Sequence, residues 1–349
     1  MLTIDGREQE GGGQILRTSL SLAAITGRPF RITNIRANRA KSGLRPQHLT
    51  AVRAAAILCQ AHLKGDSLNA TTLEFHPQVP PTPGEYHFDV SEVAKGGSAG
   101  SVMLIFQTVI WPLLFANGRS RLNLRGGTHV PFSPPYHYVA EVFRPLLCQM
   151  GATFTTNLDD WGWYPAGGGF VTATIEPIRH LQAIPFGPVP AQRVEGVAAV
   201  SNLPGHIPQR MADHAASLLQ AAGLPSQIEV IQEQGQGPGA GIVLWLPQAG
   251  FTSIGRRGLP AEEVAQTAVA ECLAFLESHV QVDSHLADQL LLPCALARGS
   301  TSYTTHSLTQ HALTQAQLLR QWLDVAIEIE GLPGQPAQIT VSGINYTVE

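Results

Sequence analysis

Apolar residues recur at helical spacing in several long runs of the chain and alternate in the short segments between them. The run QILRTSLSLAAIT, which follows glycines 11–13, predicts a helix stopped by Gly27. A strand, FRITNI, and a second helix, PQHLTAVRAAAILCQAHL, come next. The same order returns after the turn GGSAGS at 96–101, with the run VMLIFQTVIWPLLFA, Gly118, the strand RLNL and the helix PPYHYVAEVFRPLLCQM. A third unit reads HLADQLLLPCALA, Gly299, STSYTT and HALTQAQLLRQWLDV. Each glycine fits a helix end, where a left-handed backbone is cheap without a side chain. Further strands, TLEFHP, FVTATI and AQITVSGI, close the units. The repetition predicts an α/β (α+β) fold of three repeated α/β units, with helices packed on antiparallel or mixed sheets.

Residues 184–280 break the repeat. The stretch opens on IPFGPVPAQ, whose prolines and glycines mark a boundary. It then predicts a strand VEGVAAVS, a helix PQRMADHAASLLQAAG, strands IEVIQE and IVLWLP, and a helix AEEVAQTAVAECLAFLES. The expected division is a large domain, 1–183 with 281–349, and a small α/β domain, 184–280, inserted between the second and third units.

With 349 residues, 44% of them apolar and 14% charged, the chain can bury more than one core and is not disordered. A formal net charge of −4 argues against a general nucleic-acid coat protein. The charge is uneven, however. Ten of the 22 basic residues lie between Arg7 and Lys64, and the only acids in the first 64 positions are Asp5, Glu8 and Glu10. Such a sector suits a local polyanion site or a solvated charged face. The longest apolar stretch, Val102–Ala116, holds Gln107 and Pro112 and is too short to span a bilayer. No basic-then-apolar leader opens the chain, and the four cysteines form no CxxC pair. A cytoplasmic protein with reduced thiols and no membrane partner is expected.

Candidate chemistry clusters in a few places. The turn EGGGQILR at 10–17 opens a helix whose backbone N–H groups would attract phosphate. Glu10 could hold a divalent cation beside that phosphate. A plain tight turn with an acidic first-turn residue accounts for the same letters. KGGSAGS lacks the GK[ST] of a phosphate-binding P-loop. In RANRAKSGLRPQH, Arg39, Lys41 and Arg45 could grip a terminal phosphate through their guanidinium and ammonium donors, or form a solvated loop. Thr309 is a candidate N-cap that places His311 in a first helical turn. The dipole there favours neutral imidazole, the form a nucleophile needs; a half-buried structural histidine fits the spacing too. Asp288 and Gln289 are polar groups at the start of an apolar run, as in an ordinary helix start.

Taken together, IDGREQEGGGQILR at 4–17, IRANRAKSGLRPQHLTAV at 35–52, GSAGSVMLIFQTV at 97–109, WYPAGGG at 163–169 and LADQLLLP at 286–293 resemble the RNA 3'-terminal phosphate cyclase family over essentially the full chain. The resemblance implies a large domain of three units like the C-terminal domain of translation initiation factor 3, and a small insert of thioredoxin-like arrangement. It implies ATP as co-substrate with Mg²⁺ or Mn²⁺, and an RNA bearing a 3'-phosphate as partner; a homodimer is compatible with it. By motif, His311 looks like the adenylated histidine. Gln107 with His285, Leu286, Ala287, Asp288 and Gln289 looks like the ATP pocket. Arg17, Arg39 and Arg45 resemble phosphate or RNA contacts, and Glu10 resembles a metal-binding carboxylate. Three departures stand out: His285 replaces a frequent tyrosine, Ser42 a frequent proline, and the neighbours of His311 differ from the usual ones, which keeps His306 as a rival.

The expected reaction joins AMP to the histidine, passes it to the RNA 3'-phosphate, and closes a 2',3'-cyclic phosphate as AMP leaves. Two other classes fit parts of the pattern: a non-catalytic cyclase-like protein binding RNA or ribosomal precursors, and an enolpyruvyl-type transferase. Lysine-based nucleotidyl transfer is set aside, because none of Lys41, Lys64 and Lys95 begins a KxDG motif.

Overall fold

The computed structural model describes residues 1–8, 12–93, 98–189 and 193–347 of a mixed α/β protein with four separate sheets. The first unit runs β1 (Leu2–Asp5), α1 (Gly13–Thr26), β2 (Phe30–Thr33), α2 (Pro46–Leu58), β3 (His62–Lys64) and β4 (Leu73–His76). Its sheet order is β1-β2-β4-β3, with only the β1–β2 pair parallel. The second unit runs β5 (Glu85–Asp89), α3 (Val102–Leu114), β6 (Ser120–Gly126), α4 (Tyr136–Tyr138), a π-helical stretch (Val139–Phe143), α5 (Arg144–Gln149), β7 (Thr153–Asp160) and β8 (Gly169–Glu176). Its order, β5-β6-β8-β7, repeats the first, again with one parallel pair.

A different arrangement follows: β9 (Val194–Ser201), α6 (His206–Ala221), β10 (Ser226–Glu233), β11 (Gly239–Leu246), β12 (Ala249–Ile254) and α7 (Ala261–Glu277). The sheet is ordered β10-β9-β11-β12, with β9 and β10 parallel. The chain then returns with α8 (Ser284–Gln289), α9 (Leu291–Leu296), β13 (Arg298–Thr305), α10 (Gln310–Trp322), β14 (Ala326–Gly331) and β15 (Ala337–Ile344). The order β13-β15-β14 is that of the first two sheets without their first strand. Residues of these three units share one apolar core, while β9–β12, α6 and α7 enclose a second. Trp161 and Trp163 pack on Val197, Ala199 and Val243 between the two. Among the described residues no helix is long and apolar enough to cross a membrane.

Two helix contacts position the site. Pro112 lies inside α3 and has no N–H for the Thr108 carbonyl one turn back. Ser21 Oγ of α1 donates to that carbonyl at 2.8 Å, so the orphaned acceptor becomes an inter-helix tie. On the other side, α1 and α10 lie parallel. Gln14 meets His311 and Thr18 Oγ1 donates to Gln315 Oε1 at 2.9 Å, each pair one turn beyond the last on both helices. This pairing brings the N-terminal ends of α1 and α10 together.

The glycine reading needs correction. Gly27 ends α1 at φ +68°, with its N–H on the Ala23 carbonyl. Gly118 lies beyond the end of α3, and Gly299 sits within β13 at φ +102°. The run 285–297 splits into two short helices at Leu290, and the helix expected over 134–150 is interrupted by its π stretch. The strand β12 is an addition, since AGFTSI follows β11 through a tight Pro247–Gln248 hairpin.

Candidate active site

A cleft of about 980 Å³ opens where the four α/β groups converge. Its walls come from the start of α1 (Gly13, Gln14, Arg17, Thr18), the basic loop and α2 (Arg36, Arg39, Gln47, His48), α3 (Gln107), the 130–135 loop, β12, α7 (Glu271), α8 (His285, Asp288, Gln289) and α10 (His311, Gln315). Seven of the side chains singled out from the sequence thus face one space: Arg17, Arg39, Gln107, His285, Asp288, Gln289 and His311.

His311 is held by its helix start. Thr309 caps α10 by accepting from the Ala312 N–H at 3.0 Å, which sets the imidazole in the first turn. Gln14 Oε1 lies 2.9 Å from His311 Nδ1. A carbonyl oxygen only accepts, so with this amide orientation Nδ1 carries a proton, which leaves Nε2 the lone pair whenever the ring is neutral. The rival, His306, is half-buried, packs edge-on against Phe275 and has no hydrogen-bond partner for Nδ1 among the described residues; it is not a wall of the cleft.

Gln107 is the only residue of α3 that is not buried. Its Nε2 donates to Gln289 Oε1 at 2.6 Å, joining α3 to α8. The start of α8 is fixed by Asp283, a buried carboxylate. It accepts from the His285 and Leu286 N–H groups at 2.8 and 2.9 Å, from the Tyr138 hydroxyl, which lies 3.0 and 2.9 Å from its two oxygens, and from Gly250 N–H of β12 at 3.0 Å. Burial and this carboxylate hold the Tyr138 phenol well above its ordinary pKa, so it stays a donor. Glu271 reaches the same end from α7; burial raises its pKa, His285 opposes the shift and Asp283 adds to it.

The opposite wall is cationic. Burial lowers the pKa of Arg36, and the charges of Arg39 and Arg45 lower it further. Burial, then Arg17, Arg36 and Arg45, hold His48 well below its ordinary value and therefore neutral. His48 Nδ1 accepts the Arg45 N–H at 3.3 Å. A Cβ on Gly13 would lie 2.4 Å from His48 Nε2, so only glycine lets α1 begin this close to α2. A field of this sign, focused by a cleft next to the N-terminus of α1, attracts anions.

Other expectations fare differently. Arg45 does not line the cleft; its guanidinium donates to Asn69 Oδ1 at 2.7 Å. Leu286 and Ala287 are buried in the large core, one face of α8 away from the pocket. Glu10 lies outside the described residues. Among those described, no three His, Cys, Asp or Glu side chains cluster as a metal site, and the carboxylates facing the cleft are Asp288 and Glu271. Sequence reasoning passed over Gln14, His48 and Asp283. Asp283 had a signal, an Asp directly before a helical run; the other two had none beyond lying in quoted motifs.

Fold and site define a multi-sheet α/β protein with an anion-attracting cleft and an imidazole on its wall. A family model described as RNA 3'-terminal phosphate cyclase matches residues 8–329. An RNA 3'-terminal phosphate cyclase of Trichormus variabilis is 48% identical over 329 residues, spanning 92% of this chain and 94% of its own. One of Methanosarcina barkeri is 41% identical over 334 residues, spanning 96% and 98%. The chain belongs to the RNA 3'-terminal phosphate cyclase family. The enolpyruvyl transferase NikO from Streptomyces tendae superposes with a TM-score of 0.35 at 12% identity, over 97% of this chain and 48% of that one, a likeness too weak to argue from.

Proposed function

We propose that the protein converts an RNA 3'-phosphate into a 2',3'-cyclic phosphate at the expense of ATP, through AMP carried on His311. The observation that carries this reading is a histidine set in a cleft lined by guanidinium groups, its Nδ1 held 2.9 Å from Gln14 Oε1. In the first step Nε2 attacks the α-phosphorus and the bond to pyrophosphate breaks. A 3'-phosphate oxygen of the RNA then takes AMP from the ring. Finally the 2'-hydroxyl attacks the 3'-phosphorus, its proton is lost, and AMP departs. The last step gains most from proximity, since nucleophile and phosphorus sit on neighbouring carbons.

Arg17 and Arg39 would stabilise charge on the phosphoryl oxygens. The Gln107–Gln289 amide pair and His285 offer hydrogen bonds and a flat ring for the adenine. A divalent cation, Mg²⁺ or Mn²⁺, suits a carboxylate plus phosphate oxygens; Glu10 would be that carboxylate, and Asp288, which faces the cleft, is a second that could hold the ion. When bound, it would neutralise phosphate charge.

Two separate apolar cores support reading 1–183 with 281–349 as a large domain and 184–280 as a small one. The recurring strand order favours the likeness to translation initiation factor 3, and the β-α-β-β-β-α order favours a thioredoxin-like insert. The four cysteines are unpaired, and burial pushes Cys59, Cys272 and Cys294 up to about 12, which suits a reducing cytoplasm. The test is to incubate the protein with ATP, magnesium and an oligoribonucleotide ending in a 3'-phosphate. The reading requires loss of one water and resistance of the end to phosphatase. An end that phosphatase still removes would refute it.

A further inference from the structure

One side chain at the cleft serves no purpose in the fold. Phe132 is fully exposed, at 103%, the most exposed of the large apolar residues among those described. Its backbone stands at φ +63°, a left-handed conformation that suits glycine and is unfavourable for a bulky residue. An apolar ring in water and a strained backbone at one position contribute nothing to stability, and such positions point to function when the surroundings hold them in place.

The surroundings do so here. Phe132 sits at the tip of the 130–135 loop, which lines the cleft. Below it the two ends of the loop are closed by the Tyr136 N–H on the Thr128 carbonyl at 3.0 Å, and by a contact of 2.9 Å between His129 Nε2 and His137 Nδ1. The His129 ring stacks on Trp161 at 4.2 Å. Ser133 Oγ donates to the Val130 carbonyl, and Pro131, Pro134 and Pro135 stiffen the rest. The ring is therefore presented without the ordering cost a mobile loop would add to binding.

The cleft dictates what such a ring can hold. Arg17, Arg36 and Arg39 line the other wall. A flat apolar face beside guanidinium groups matches a nucleobase joined to phosphates, as in single-stranded nucleic acid. An adenine bound beside His285 would lie against α8, whose start is tied down by Asp283. A ring bare on all sides sits at the mouth instead, where a substrate longer than one nucleotide leaves the cleft. Resting on the cyclase reading, we propose that Phe132 is a stacking platform for a base at the 3' end of the RNA, and thus a positioning residue for the phosphate it delivers to His311.

The experiment compares wild type, Phe132→Ala and Phe132→Trp in binding an oligoribonucleotide with a 3'-phosphate, at fixed salt. The RNA is used intact and with an abasic unit at the last or the penultimate position. Phe132→Ala should bind intact RNA roughly tenfold more weakly and Phe132→Trp about as well as wild type, in keeping with the strength of base–aromatic stacking. At one of the two positions the abasic unit should weaken wild type to a similar degree and Phe132→Ala hardly further. Covalent labelling with ATP alone should be the same in all three proteins. Undiminished RNA binding by Phe132→Ala, or an equal loss on intact RNA and on both abasic RNAs, would overturn the proposal. So would a loss of ATP labelling with RNA binding unchanged, which would give the ring to adenine. If wild type takes no AMP while the base-dependent loss persists, the cyclase reading fails and the platform stands.

Discussion

His311 Nδ1 and Gln14 Oε1 lie 2.9 Å apart, across the seam between two parallel helices. The contact joins the glycine-led start of α1 to the capped start of α10. With the amide oxygen turned to the ring, it also favours the tautomer that leaves the lone pair on Nε2, because that oxygen can only accept. Replacing Gln14 with Leu removes the acceptor and lets the ring turn or change tautomer. AMP transfer to the protein should then slow by roughly tenfold, the kinetic equivalent of one hydrogen bond of about 1.4 kcal/mol. The concentration of ATP giving half-maximal rate should change little. Rapid-quench labelling over a range of ATP concentrations separates the two effects.

Asp283 ties α8, Tyr138 and β12 to one carboxylate. Asp283→Ala strands a buried phenol and backbone N–H groups, and should destabilise the protein by about 3 kcal/mol. Because His285, Asp288 and Gln289 all ride on α8, affinity for ATP should fall as well. Denaturant unfolding and nucleotide binding on the same variant check both halves; an unchanged midpoint would contradict the role given to the carboxylate.

Gly13→Ala puts a methyl group where His48 Nε2 already stands. His48 is buried and held through Nδ1, so it has little room to give way. A loss of about 1–3 kcal/mol is expected, as for other overpacked sites, and thermal unfolding measures it.

The pair His129 and His137 sets a pH dependence. Burial holds His137 down to about 4, from an ordinary 6.5, and holds His129 well below that ordinary value as well. Between those limits the unfolded chain binds protons that the folded pair refuses. Stability contributed by the pair is therefore complete above about pH 6.5 and falls away as the pH drops toward 4. His137→Gln should flatten that part of the curve of melting temperature against pH.

Much of this was legible in the chain. The strand VEGVAAVS is β9 residue for residue, and Gln107 stood out as a polar residue in an apolar run because that run is a buried helix with one side chain at the cleft. Thr309 announced the cap of α10. What stayed hidden depends on partners far away in sequence. Arg45 reads as another phosphate ligand, and that its guanidinium donates to Asn69, 24 positions away, was not legible. Gly299 reads as a helix stop because left-handed glycines occur in strands as well as at helix ends. Nothing in the sequence singles out Phe132, and only its exposure beside the cleft sets it apart.

The central claim concerns one nitrogen. Mixing the protein with ATP and magnesium and mapping any AMP adduct by mass spectrometry, for wild type, His311→Ala and His306→Ala, tests it directly. AMP on His311 in wild type and in His306→Ala, and none in His311→Ala, is the predicted result. An adduct that survives in His311→Ala, or that maps to His306, would contradict it.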